Sequence, residues 1–322
     1  MNRQQIKEMF LGFALADALG VPVEFQSRDV LAQNPVNSMA GYGTHFQTEG
    51  TWSDDSSLAL CLADSLTKGY DLKDIALKFI QWKRNSLWTP RGEVFDIGIQ
   101  TTRSIDRLVN ILLRDRDEER LSLIKYDDDE YTNGNGSLMR ILPLLYYIKG
   151  KEIKEQFAII WDVSSLTHGH IRAAIACLVY LKFAEYVSEG SSLREAYEEM
   201  RKDIKEFFKV AEIAAYEVDK FHRIIENDIS IVEEDEINSG GYVIETLEAS
   251  FWCLLNSESY LEAVFKAINL GDDTDTTATV VGGIAGLYFG MKDVPEIWIQ
   301  QLARKDDIIQ LSEGYVEAFA TW

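Results

Sequence analysis

Two short acidic stretches, more than 200 residues apart, carry the strongest chemical signal in the chain. Ser53, Asp54, Asp55 and Ser56 form one; Asp272, Asp273, Thr274, Asp275 and Thr276 form the other. Both interleave carboxylates with small hydroxyl residues, and both run into apolar segments rich in Ala, Gly and Leu. Carboxylates that open a buried segment are costly unless positive charge meets them. Hard divalent cations take oxygen ligands of this kind, and magnesium combines a few carboxylates with waters or substrate oxygens. The two stretches therefore read as halves of one magnesium site. Ser, Thr and Asp are also preferred helix caps, and acid suits a helix start. Capping accounts for one or two such residues per helix, not for five aspartates in two clusters.

Other residues could complete a site. Glu24 follows Gly20 and Pro22, a natural helix stop, and sits between Val23 and Phe25, where it either faces solvent or serves the chemistry. Residues 131–140 hold Gly134, Asn135, Gly136 and Ser137 ahead of an apolar segment. Such a loop can offer backbone N–H groups to a phosphate, or it can be a plain Asn-Gly turn. The spacing and lysine of a Walker A loop are missing. His168 and His170 are two of only four histidines. No companion Cys or His cluster supports zinc, so a hydrogen-bonding role beside a ligand or structural satisfaction remains. The Asp273-x-Asp275 pair could also open a haloacid-dehalogenase-type phosphatase, but the preceding residues 263–270 read as helical rather than as the strand that reading needs.

The elements that must position these residues are helical. Ile6, Met9, Phe10, Phe13 and Ala14 mark one helical stripe, and Leu58, Cys61, Leu62 and Leu66 another. Only five prolines interrupt the chain, and the one strand-like run that stands out is residues 21–25. The fold class expected is all-α. Residues 114–130 and 188–235 are strongly charged, the latter with interleaved signs that suit a solvated helix. The acidic clusters lie on opposite sides of this region, and a shared site argues for one domain. The net charge of -21 excludes the basic footprint of a generic nucleic-acid binder and disfavours anionic membranes. Cys61, Cys177 and Cys253 are widely spaced among apolar neighbours, the pattern of reduced buried thiols. With no signal core and no spanning run, the chain reads as soluble and cytoplasmic.

Together these segments resemble the ADP-ribosylglycohydrolase family, which includes the bacterial enzyme that reactivates dinitrogenase reductase. Residues 12–24 are similar to its first signature and residues 52–62 to its first acidic motif. Residues 135–143 resemble its Asn-Gly-Ser-x-x-Arg loop, and residues 167–170 its Thr-His-x-His motif. Residues 241–252 and 270–286 resemble the run before its C-terminal motif and the Asp-x-Asp-Thr helix itself. The matches keep the family order over nearly the whole chain. The resemblance implies a single compact, orthogonal all-α domain over residues 1–322, with two magnesium ions at the floor of a cleft and manganese as substitute. By position, the implied metal ligands are Ser53, Asp54, Asp55, Asp273, Asp275 and Thr276. Glu24 would lie beside the metals, bridging to them or gating the cleft. Gly134, Asn135, Gly136 and Ser137 would cradle a diphosphate, and His168 or His170 would line the ribose or adenine end. Asp96 resembles a catalytic acid of the arginine-specific members. The chain departs in having Ser53 and Ser56 for the commoner Thr, in Asp272 where Gly is frequent, and in the charged residues 188–235. Asp272 alone bears on the site, by changing the turn or competing as a ligand.

The activity so implied is hydrolysis of the ribose C1 bond to a modified side chain, with mono-ADP-ribosyl-arginine favoured by Asp96. An ADP-ribosylated protein or ADP-ribose would be the partner. The transition state would be oxocarbenium-like, with a metal-held water attacking and Glu24 or Asp96 managing protons. The competing readings are a non-hydrolytic ADP-ribose or nucleotide-binding protein, a hydrolase of serine-linked or small-molecule ADP-ribose, and a magnesium-dependent nucleotide or phosphate-ester hydrolase. The intact carboxylate set argues against a site that has lost its chemistry.

Overall fold

The computed structural model describes residues 2–125 and 129–319; Tyr126, Asp127 and Asp128 of the first charged segment lie outside them. Among the described residues, sixteen α-helices are joined by short 3-10 turns and one π-type turn, Asn110–Asp115, and there is no strand. The all-α expectation holds.

Two helices from opposite ends of the chain form the centre. Arg3–Gly20 is buried continuously from Met9, and Thr274–Phe289 from Thr274 to Leu287. A helix that is apolar all round belongs inside. Their backbones meet at glycines: a Cβ on Gly12 would stand 2.5 Å from the Gly282 carbonyl oxygen, and one on Gly286 2.2 Å from that of Glu8. Any side chain there would drive the pair apart. The small residues after Asp275 thus allow a close helix approach. Tyr260 donates to the Gly12 carbonyl at 2.6 Å and Tyr180 to that of Val280 at 2.8 Å, tying neighbouring helices to this pair.

Ile171–Ser188, Val243–Leu255 and Asp54–Leu66 pack around the pair, each buried along most of its length. Leu193–Val210 shields them with Leu193, Ala196, Tyr197, Met200, Ile204 and Phe207 at helical spacing. Its start is a capping box between Ser192 and Glu195, and its charged face is the solvated helix expected from the sequence. No described helix is long and apolar enough to cross a membrane. Cys61, Cys177 and Cys253 are buried and free.

Residues 21–25 correct an expectation. They form the 3-10 turn Val21–Val23 followed by Phe25 at φ 65°, not a short strand. Pro22 fits the first turn of a helix, where its missing N–H costs nothing, and no neighbouring strand offers a partner.

Candidate active site

The first acidic cluster begins a helix whose capping is done without the carboxylate of Asp54. Ser53 is the N-cap of Asp54–Leu66; its Oγ accepts from the Asp55 N–H at 3.2 Å and donates to Asp55 Oδ2 at 2.9 Å. Asp17, fully buried on the first helix, accepts from the Ser53 N–H at 2.9 Å, the Ser56 N–H at 3.0 Å and the Ser56 hydroxyl at 2.6 Å. Ser53 and Asp17 thereby satisfy the helix start. Asp54 and one oxygen of Asp55 are left over, so capping does not explain them.

The second cluster sits on an enforced turn. Asp272 adopts φ 59°, its N–H donates to the Gln26 carbonyl at 2.8 Å, and its own carbonyl accepts from the Phe25 N–H at 2.7 Å. Asp tolerates this left-handed conformation better than most residues, so it can serve at this turn. Its side chain is exposed, and it competes for nothing inside. The Asp273 N–H donates to the Ser239 carbonyl at 3.1 Å, and its Oδ2 accepts from Asn135 Nδ2 at 2.8 Å. Asp275 is fully buried, with Oδ1 accepting from the Thr276 N–H at 2.9 Å. Thr276 Oγ1 donates to Asp55 Oδ2 at 3.3 Å, which joins the two clusters directly. Carboxylate oxygens of Glu24, Asp273 and Asp275 lie within 4.8 Å of one another.

This concentration of acid lacks compensation from the protein. Burial, then neighbouring carboxylates, pushes Asp54, Asp55 and Asp275 well above the usual carboxylate range. Burial raises Asp17 to about 7, and burial together with Asp96 and Asp273 raises Glu24 to about 10. Asp55 Oδ1, Asp273 Oδ1 and Asp275 Oδ2 are buried without a hydrogen-bond partner. Such orphaned acceptors are rare in folded proteins and call for an ion or water. An oxygen-only donor set of this charge fits a hard divalent cation.

Above the floor opens a cleft of about 280 Å³, whose lining includes Glu24, Asp54, Asp96, Asn135, His168 and Asp273. None of the described residues lining it is a lysine or arginine. Its glycine-rich wall is pinned by backbone bonds, Asn135 N–H to Gly241 at 3.0 Å and Val243 N–H to Asn133 at 3.0 Å. Arg140 is buried behind this wall, bonded to the carbonyls of Gly136 and Val163 and lying 5.0 Å from the Phe79 ring centre. His168 packs on Gly136, where a Cβ would stand 2.7 Å from its Cε1. Burial, then Arg140, lowers His168 to about 3, so its ring is neutral at ordinary pH.

Two expected ligand-binding residues turn elsewhere. Ser137 is buried beneath the loop, 3.7 Å from Cys177 Sγ. His170 caps Ile171–Ser188 by accepting from the Arg172 N–H at 3.1 Å and faces a separate cavity of about 650 Å³ with Trp161 and Phe207. One residue, Gly169, is enough to send the two histidines of the motif to different sides.

A family model described as ADP-ribosylglycohydrolase matches residues 2–322. The chain belongs to the ADP-ribosylglycohydrolase family. It is 31% identical to the ADP-ribosylarginine hydrolase Tri1 of Serratia proteamaculans over 95% of this chain and 77% of that one. It is 25% identical to the ADP-ribosyl-[dinitrogen reductase] glycohydrolase of Rhodospirillum rubrum over 92% of this chain and 89% of the relative. A solved structure described as an ADP-ribosylglycohydrolase-related protein complex superposes with a TM-score of 0.75 at 28% identity, covering 98% of both chains. The enzyme class is thus ADP-ribosyl glycohydrolase, and the chemistry is hydrolysis of an ADP-ribosyl bond.

In this glycohydrolase the sequence reading missed two residues that the fold places against the acidic residues of the site or their turn. Asp17 was legible in principle, as an acid within the apolar run 9–19 of a buried helix. His45 carried no such signal. Its Nε2 is hydrogen-bonded to Glu24 Oε2 and lies 3.9 Å from Asp96 Oδ1.

Proposed function

We propose that this glycohydrolase removes ADP-ribose from a modified arginine of a protein, acting as one domain over residues 1–322. The observation that carries the reading is a buried acidic floor with orphaned oxygens beneath a cleft lined by no lysine or arginine. A diphosphate can enter such a cleft only with cations, and a guanidinium leaving group is what Asp96 and Glu24 at the same cleft would welcome. The ADP-ribosylarginine hydrolases among the relatives support the same linkage.

Ser53, Asp54, Asp55, Asp273, Asp275 and Thr276 would hold two magnesium ions, with manganese as an alternative occupant. Bound there, the ions would supply positive charge and a water of lowered pKa. The chain's own residues do the rest. Asp17 fixes the Ser53–Ser56 turn, and Asn135 aims Asp273 through its 2.8 Å bond. The backbone of Gly134, Asn135 and Gly136 accommodates the diphosphate, with neutral His168 holding the loop in shape. Ser137 supports this wall from behind, and His170 caps Ile171–Ser188 on the other side. In hydrolysis the water oxygen bonds to ribose C1 as the C1–nitrogen bond breaks with its electron pair staying on nitrogen. Glu24 and Asp96 pass one water proton to the departing guanidine nitrogen, and the transition state is oxocarbenium-like.

The test is intact-mass spectrometry of ADP-ribosyl-arginine and ADP-ribosyl-serine peptides incubated with the protein, with magnesium or with EDTA. Magnesium-dependent release of ADP-ribose from the arginine peptide is the expected result. Binding of ADP-ribose by calorimetry with neither peptide cleaved would replace this reading with that of a binding protein.

A further inference from the structure

His45, on the turn closed by the Tyr42–Gln47 bridge, lies against Glu24 of the cleft wall. Besides its contacts with Glu24 and Asp96, its ring lies between Phe25 and Phe95, with centroids 6.0 and 5.5 Å away. Phe25 is 67% exposed, an unusual state for a ring that lines a cleft. The backbone is held in the left-handed region at Phe25, φ 65°, and at Asp96, φ 51°. Non-glycine residues stay there only where the surroundings enforce it, and such positions gather at functional sites.

The enforcement is visible. The Thr44 N–H donates to the Pro22 carbonyl at 2.9 Å, and Thr44 Oγ1 donates to the Glu24 carbonyl at 2.7 Å. Gly43 lies against Pro22 so closely that a Cβ would stand 1.8 Å from its carbonyl oxygen. The His45 turn is therefore clamped onto the Glu24 turn. One imidazole joins two carboxylates and two aromatic rings contributed by two separate segments, Glu24–Phe25 and Phe95–Asp96.

We infer that Phe25, His45, Phe95 and Asp96 form the surface that receives the guanidinium leaving group, with His45 as its positioning residue. The inference rests on the arginine reading above. A guanidinium is planar, stacks on aromatic faces and pairs with carboxylates. This corner of the cleft offers both features, whereas a serine hydroxyl would use neither. His45 sets the distance between Glu24 and Asp96, so it acts on turnover rather than on the nucleotide end.

The experiment compares His45→Phe, His45→Gln and Phe25→Ala with the unsubstituted full chain in magnesium, using ADP-ribosyl-arginine and ADP-ribosyl-serine peptides. His45→Phe is expected to lower kcat on the arginine peptide by about 100-fold, the cost of a misplaced reacting group. Its affinity for free ADP-ribose, read by calorimetry, is expected to stay unchanged. His45→Gln restores part of the kcat through an amide donor to Glu24, and Phe25→Ala raises KM for the arginine peptide alone. Unchanged kcat in His45→Phe overturns the inference while leaving the arginine reading intact. So does a parallel loss of ADP-ribose affinity, which marks a general structural role. An unsubstituted chain that cleaves only the serine peptide, or neither, overturns both.

Discussion

Gly20 stands so close to Asp275 that a Cβ on it would lie 2.4 Å from the Asp275 Cα. The last turn of the first helix is thus the seat of the second acidic turn, and Thr274 Oγ1 donates to the Gly20 carbonyl at 2.9 Å in the same place. Gly20→Ala must displace one of these backbones. Its expected cost is about 1–3 kcal/mol in urea unfolding, as for other overpacked sites. Magnesium affinity by calorimetry should fall with it, and a variant that binds like the parent would show that the acidic turn is not seated there.

Removing divalent cation should reverse the pH dependence of stability. Asp17 and Glu24 rise from 3.8 and 4.5 to about 7 and about 10 on folding. A carboxyl raised in this way holds its proton more tightly in the folded chain. Its contribution is complete below the unfolded value and is lost as pH rises through the folded one. In EDTA, Tm should fall as pH climbs from 4 toward 7 in the Asp17 window, and further toward 10 for Glu24. Magnesium meets the ionised form, so its stabilising effect should grow with pH. A cation effect on Tm that is flat across pH would detach the buried acids from cation binding.

Asp54→Asn should separate folding from chemistry. Asp54 is buried beside Asp55; burial, then Asp55, pushes it well above the usual carboxylate range. Without cation the variant should be as stable as the parent or better, by about 1 kcal/mol, because a neutral amide replaces a carboxyl that burial forces to hold its proton. Turnover should nonetheless fall by at least about 100-fold, the scale seen when one electrostatic stabiliser is lost. Asp275→Asn should behave alike. Near-normal magnesium-dependent turnover in either variant would refute the ligand assignment.

Gly136→Ala tests the nucleotide wall. The new methyl would meet His168 Cε1 at 2.7 Å, and the ring is held by Thr167 Oγ1, 2.8 Å from its Nδ1. We expect ADP-ribose affinity to weaken about tenfold, or 1.4 kcal/mol, with far-ultraviolet circular dichroism unchanged. Equal affinity would mean that the ligand does not lean on this wall.

The helical class and the meeting of the two acidic clusters were legible because both leave local marks. Helical spacing survives in the apolar stripes, and aspartates that lead into apolar runs are conspicuous. Glu24 and the Asn135 loop were legible from the glycines and proline that break helices around them. Residues 21–25 misled because alternating Val21, Val23 and Phe25 imitate a strand, while the turn is decided by Pro22 and by the distant carbonyl of Asp272. His170 and Ser137 face away from the cleft because neighbours in sequence do not share a face in a turn. His45 was invisible, since its partners Glu24 and Asp96 lie 21 and 51 residues away in sequence.

The acids of the floor come from both ends of the chain, held together by the glycine contacts of Arg3–Gly20 with Thr274–Phe289. During synthesis, Asp54 and Asp55 leave the ribosome more than 200 residues before Asp273 and Asp275. A nascent chain therefore carries only half of the acidic floor until its last quarter is made. The floor is assembled in one step, when Thr274–Phe289 packs against Arg3–Gly20.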